Sequence, residues 1–423
     1  MGGYLKLVPY SDVRRRIEGA LSGVRPSVER VPVDLASGKV SAEGVAFPCD
    51  IPEATSSMMD GYAIRSSEVR SASASHPVSF KVVGSLSPAS VRPATRLTGR
   101  DAYYVATGAP VPVSADAVVK VEEARPSGDS ILVSVSLPRW KNIALRGEDV
   151  RAGSTVVRVG QIVNAADIAL LVAAGKRDLD VFRSPTVGIL STGDELTRPG
   201  GRESGKRVNN YANLIAAYLL ESGATPIRLG IAGDDEEQIA KMMVKGIRDL
   251  DALVTIGGSS VGTKDFTARA ARRIDGCEEI FHGIRLAPAR PTGMFMFRGK
   301  PMVLLPGHSV AASLAFFLVV HPIINILSGL EFNSRLTLIT ARLSQGLSNP
   351  RPITTLFLVS LTTQDGAYSA SPMTWGSNLI SSLARANAFL QVGPHSVVRE
   401  GQSVTVTLLG GREIQRVHAG AVQ

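Results

Sequence analysis

Two stretches of the sequence combine glycine with carboxylate in a pattern that suits phosphate chemistry. They are Ser191-Thr192-Gly193-Asp194-Glu195 and the run GGSSVGTKD from Gly257 to Asp265. Glycines at 193, 257, 258 and 262 let backbone N–H groups approach an anion closely, and a helix starting after such a loop adds the positive end of its dipole. Asp194, Glu195 and Asp265 would repel that phosphate unless a cation lay between them. A hard divalent ion such as Mg2+, held by carboxylate and phosphate oxygens, reconciles the two features. For one acidic loop alone, helix capping and loop solvation are the ordinary reading. Two such loops at one end of one sheet favour a site.

Other residues stand between a chemical and a structural role. Gly233, Asp234 and Asp235 follow an apolar strand, where an acidic pair either begins the next helix as its cap or joins the site. SSMMDGYA, residues 56–63, places Asp60 in a turn, and LRGEDV places Glu148 and Asp149 in another. PGHSVAAS, residues 306–313, puts His308 at a helix start whose free N–H groups make a third anion-binding position. Cys277 has no basic neighbour in sequence and reads as a bystander thiol. There is no Ser-His-Asp or His-rich metal pattern.

The loops need an open α/β sheet to position them, because ligands bind outside the carboxyl ends of its strands. Over residues 184–330 the apolar strands TVGIL, TPIRLGI, DALVTIG and MVLLPG alternate with helical segments near 210–222, 235–250, 264–274 and 309–328. That alternation predicts a mainly parallel sheet. Before it, an N-terminal helix over 11–22 has Ser11 and Asp12 as capping candidates, and short β-type runs fill residues 25–160. After Asn333 alternating patterns return in RLTLITARL, TTLFLVSL, AFLQVG and QSVTVTLL, which predicts a separate C-terminal β domain.

The bulk numbers agree with several packed domains: 423 residues, 44% of them apolar, exceed what one core organises. Two cysteines exclude a disulfide framework and point to a reducing cytoplasm. The start MGGYLKLVPYSDVRRR lacks the unbroken apolar stretch of an export signal. The longest apolar run, Ser313 to Leu327, is shorter than the roughly 20 residues of a bilayer span and reads as a buried helix. The net charge of +9 is spread along the chain with few aromatics, which argues against nucleic acid; it concentrates small anionic ligands and equally keeps a protein soluble, so charge alone does not choose.

Taken together, SSMMDGYA, VATGAPVPVSADAVVKVEE, RGEDV, STGDEL, GIAGDD, GGSSVGTKD, LLPGHSVAA and GSNLISSLARANAFL, in this order, resemble the molybdopterin molybdenumtransferase family, which includes the bacterial molybdenum insertases and the E domain of gephyrin. The likeness covers nearly the whole chain. It implies a multidomain α/β plus β fold: a split N-terminal domain at 1–48 with 141–183, an inserted β-rich lid at 49–140, a doubly wound central α/β domain at 184–330 and a C-terminal β-barrel at 331–423. It also implies a cytoplasmic homodimer with its site in a cleft shared with the partner subunit, and the upstream adenylyltransferase as a candidate partner. Adenylylated molybdopterin would bind there with Mg2+, and molybdate or tungstate would be inserted with release of AMP. A pterin-binding carrier or scaffold with little turnover is the alternative.

By motif, Asp60, Asp149, Glu195, Asp234 and Asp265 match the family's functional acids. The last four are the implied Mg2+ ligands. Thr107 and Gly108 match its TGAP. Thr192, Gly193, Gly257, Gly258, Ser260, Gly262, Arg290, Pro306, Gly307, His308 and Ser377 fall on its substrate-binding motifs. Departures cluster on the basic side. Ala287-Pro288-Ala289-Arg290-Pro291 stands for Lys-Pro-Gly-Lys-Pro, and Pro306-Gly307-His308-Ser309-Val310-Ala311 for Pro-Gly-Asn-Pro-Val-Ser. Asn209-Asn210-Tyr211 stands for Asp-x-Asn. Arg285, Arg290 and His308 are the candidates for substitute positive charge, and Arg351 for the family's C-terminal arginine.

Overall fold

A computed structural model describes residues 7–90, 96–201, 205–258, 265–364, 366–373, 379–410 and 414–416. At its centre lies a six-stranded sheet built around Thr186–Thr192, a TVGILST strand buried over nearly its whole length, as a strand covered on both faces must be. Thr225–Ala232 flanks it on one side, and Ala252–Ile256 then Lys300–Leu305 on the other, all parallel. The sheet is more mixed than the sequence pattern predicts, because Gly293–Phe297 and Cys277–His282 join the far edge antiparallel. The cause is local. Phe297 pairs with Lys300 across a two-residue turn in which Arg298 (φ 52°) and Gly299 (φ 77°) both take left-handed backbone, a hairpin geometry that excludes a crossover.

Helices Tyr211–Glu221, Glu236–Ile247 and Phe266–Arg272 alternate with the strands as expected. The helix Tyr10–Leu21 buries Val13, Ile17 and Leu21 in this central core rather than against residues 28–57. Pro9 occupies its cap position with no side-chain hydrogen bond, so the expected caps Ser11 and Asp12 lie inside the helix. The apolar segment Ser309–Leu327 is one helix with a π turn at Phe316–Val320. It precedes Pro322, which has no N–H to return to the preceding turn. Among the described residues it alone is long and apolar enough to cross a bilayer, and it is buried inside the protein.

The first half of the chain supplies smaller sheets. Val28–Pro32 pairs with Asp178–Phe182, and Ser56–Ser57 with Ile143–Ala144. A six-stranded sheet spans strands from Gly61–Ile64 to Ser130–Val133. The helix Ala165–Ala173 was not anticipated, although Asn164 and Asp167 carry its signal as a complete capping box. In the C-terminal region five strands close on themselves: Leu338–Leu343, Ala367–Pro372, Thr354–Gln364, Ala388–Val392 and Ser403–Leu408 form a β-barrel. Leu286–Ala287, from the central region, runs alongside Thr354–Thr355 of that barrel.

Candidate functional site

The carboxyl ends of the parallel strands open into a cavity of about 710 Å3, lined among others by Thr192, Gly193, Glu195, Asp234, Gly257, Gly258, Arg290, Pro306, Gly307 and His308. Each of these residues was marked from the sequence. A smaller cavity of about 320 Å3 adjoins it and shares Thr192, Glu195, Gly257 and Gly307. The lining therefore combines acidic side chains, Glu195 and Asp234, with the basic residues Arg290 and His308.

Two of the glycines, Gly193 and Gly257, do not offer their N–H groups to an anion. The N–H groups of Gly193 and Gly257 already donate to the carbonyls of Ala232 (3.0 Å) and Leu305 (3.1 Å), so neither is open to an anion. What requires glycine is space. A side chain on Gly257 would meet Thr192 O at 2.7 Å, and one on Gly258 would overlap the hydroxyls of Thr267 and Thr192. Both backbones are left-handed, with φ of 92° and 59°. Thr267 Oγ1 in turn donates to Gly257 O at 3.0 Å, which ties the loop to the following helix.

The acidic pair after Thr225–Ala232 divides its roles. Asp235 accepts from Gln238 N at 2.6 Å as the cap of Glu236–Ile247, and Asp234 lines the cavity. Asp194 accepts from Asp234 N at 3.2 Å and so holds that loop against its neighbour.

Asp265 does not line either cavity. It is buried, with Oδ2 3.3 Å from His282 Nε2, and burial pushes its pKa up to about 6 despite Arg272 and Arg269 nearby. Burial and the charge of Arg272 push His282 down to about 4. At neutral pH the pair is thus a carboxylate facing a neutral imidazole.

Asp60, Thr107, Gly108 and Asp149 do not line the central cavity. Asp60 and Thr107 do meet one another: Thr107 N and Oγ1 both donate to Asp60 Oδ1, at 2.7 and 2.8 Å. Those bonds hold the exposed Asp60 carboxyl below its usual range. Asp149 is an exposed turn residue whose N–H donates to Ile51 O. Consequently Asp149, Glu195, Asp234 and Asp265 do not converge as one metal cluster, and among the described residues no three His, Cys, Asp or Glu side chains do so. Ser260, Gly262 and Ser377 lie outside the described residues.

On the basic side, Arg285 is turned away from the cavity, with Nη2 donating to Pro352 O at 3.2 Å, and Arg351 is likewise absent from its lining. Ala287 and Ala289 are buried. The buried Asn209 bonds Ser191 Oγ and accepts from Ala212 N, a neutral bridge between the first strand and the following helix. Sequence reading missed Arg207. It lines both cavities, and its Nη2 lies 3.4 Å from Glu195 Oε1. Its only signal was a positive charge in the turn after STGDEL.

Comparison with known proteins agrees with this architecture. Three family profiles match in order: "MoeA N-terminal region (domain I and II)" at residues 8–175, "Probable molybdopterin binding domain" at 188–325 and "MoeA C-terminal region (domain IV)" at 340–409. The chain is 30% identical to the molybdopterin molybdenumtransferase of Bacillus subtilis over 388 residues, 90% of each chain. It is 33% identical to molybdopterin molybdenumtransferase 2 of Mycobacterium tuberculosis over 305 residues, 71% of this chain and 75% of that one. The crystal structure of the molybdopterin biosynthesis MoeA protein from Pyrococcus horikosii superposes with a TM-score of 0.80 at 29% identity, covering 96% of this chain and 100% of the other.

Proposed function

This chain belongs to the molybdopterin molybdenumtransferase family, transferases of molybdenum cofactor biosynthesis, and on that premise we propose that its central cavity inserts molybdate or tungstate into adenylylated molybdopterin with release of AMP. The observation that carries the reading is one cavity of about 710 Å3 whose lining combines the carboxylates Glu195 and Asp234 with Arg207, Arg290 and His308. Its volume lies within the range of pockets that enclose small ligands.

Glu195 and Asp234 fit Mg2+ in the manner usual for that ion, which takes one or two protein carboxylates and completes its shell with water and substrate phosphate. Held there, Mg2+ would offset phosphoanhydride charge as it is cleaved. Arg290 offers a planar donor fork to an oxyanion or phosphate. Asp60, Thr107 and Asp149 enter the reading through a homodimer, in which a second copy would bring them to the cleft; a monomer by light scattering at micromolar concentration would remove that part. We place the protein in the cytoplasm, supplied by an adenylyltransferase.

The test is AMP release from adenylylated molybdopterin with Mg2+ and either molybdate or tungstate. Glu195→Gln and Asp234→Asn should each lower the rate by about 100-fold, the scale of losing one positioned electrostatic group. Persistent absence of AMP with the wild-type protein would sink the reading. The carrier alternative draws support from the buried, apolar Ala287 and Ala289, and it expects tight pterin binding that Glu195→Gln leaves unchanged.

A further inference from the structure

We propose that Arg207 positions the anionic end of the substrate, and that Glu195 tethers it until a divalent cation takes its place. The inference rests on the reading above. Arg207 stands where the two cavities join and lines both. Its backbone N–H donates to Glu195 O at 2.7 Å, and Leu196–Thr197 pairs in parallel with Arg207–Val208, so the position of the arginine is fixed relative to the carboxylate. The side chains are looser: Nη2 to Oε1 is 3.4 Å, with 65% of Arg207 and 48% of Glu195 exposed.

An exposed pair of this kind is weak and easily exchanged. A divalent cation on Glu195 neutralises the carboxylate charge that holds Arg207 and repels the guanidinium at contact distance. Both effects turn Arg207 away from the carboxylate. The released side chain carries five N–H donors in a rigid fork that matches a phosphate or a tetrahedral oxyanion.

Among the described residues few other basic side chains are placed to do this. The loop facing it buries Ala287 and Ala289, Arg285 is bonded to the barrel, and Asn209 is neutral. Arg207 and Arg290 are the two arginines on the lining of the larger cavity. Cation binding and anion gripping thereby become one sequence: the ion arrives at Glu195, and the arginine is freed for the ligand that must follow.

Calorimetry on the full chain tests the tether without turnover. Arg207→Ala should bind Mg2+ alone about two- to fivefold more tightly, because its competitor is gone. The same variant should bind molybdate, in saturating Mg2+, about tenfold more weakly, with Arg207→Lys between it and wild type. In the AMP-release assay the KM for molybdate should rise by a similar factor while kcat stays within about twofold. Opposite movements for cation and anion are not expected of a residue that only supports the loop. Unchanged affinity for both ions, or a loss of both together, overturns the proposal. If wild-type protein releases no AMP the insertase reading fails, and the two calorimetric measurements still decide the role of Arg207.

Discussion

Thr107 places two donors on a single oxygen of Asp60, although the two residues are 47 positions apart in sequence. The contact welds the turn of MDGYA to the turn of ATGAP. It depends on Gly61, where any side chain would run into the carbonyl of Val119 on the neighbouring strand. Thr107→Val keeps the backbone donor and removes the hydroxyl. The Asp60 carboxyl should then titrate at higher pH than in wild type, still below an unbonded carboxylate, as followed by NMR. An unmoved titration would show that the hydroxyl contributes nothing.

Gly258→Ala should destabilise the central region by about 3 kcal/mol, combining left-handed backbone strain with overlap against two threonine hydroxyls. Thermal unfolding of the variant measures this. The double variant with Thr267→Ala should recover part of the loss, since the closest of the clashing groups is then absent.

His321 gives the fold a dependence on acid. Its ring is buried, and burial with the nearby Arg335 pushes its pKa down to about 4. Ser222 Oγ donates to Tyr218 O at 2.7 Å, so at 3.1 Å it accepts from His321 Nδ1–H, which fixes a neutral tautomer. An unfolded histidine takes its proton near 6.5 and the folded one near 4. Stability from this group is therefore complete above pH 6.5 and is lost as pH falls toward 4, by about 3 kcal/mol. His321→Leu should flatten the unfolding free energy across that window. A profile as steep as wild type would refute the assignment.

Beside the barrel, at the end of the short strand Leu347–Asn349, Asn349 is a buried hub. Its Nδ2 reaches the carbonyls of Ile353, Val392 and Gly393, and its Oδ1 accepts from Arg351 N and Thr355 Oγ1. Asn349→Ala strands several of these groups at once and should cost about 3 kcal/mol, read as a lower urea midpoint. Asn349→Asp should not rescue it, because a carboxylate has no hydrogens for the three carbonyls.

Much of the central domain was legible because its signals are local. TVGIL and DALVTIG are continuous apolar runs, and the helices beside them have the right period. The antiparallel strands Cys277–His282 and Gly293–Phe297 were not, since CEEIFH is half polar and the hairpin turn is Arg298-Gly299 rather than a familiar Asn-Gly. The cavity lining was found from motif order. Two details were invisible in one dimension. Gly193 and Gly257 proved to be packing residues because their N–H groups are taken by Ala232 and Leu305 across the sheet. Arg207 escaped notice because its significance lies in the distance to Glu195, which no spacing rule encodes.

The alanines at 287 and 289 limit what the wall beside the cleft can hold. Leu286–Ala287 is a short strand laid against the barrel, and both alanines are closed off from solvent. A lysine at either position would place an ammonium group in a buried apolar wall, a cost of several kcal/mol. This wall is thereby closed to a charged side chain by packing, and any adjustment of the grip on anions falls to Arg207 and Arg290, which line the cavity.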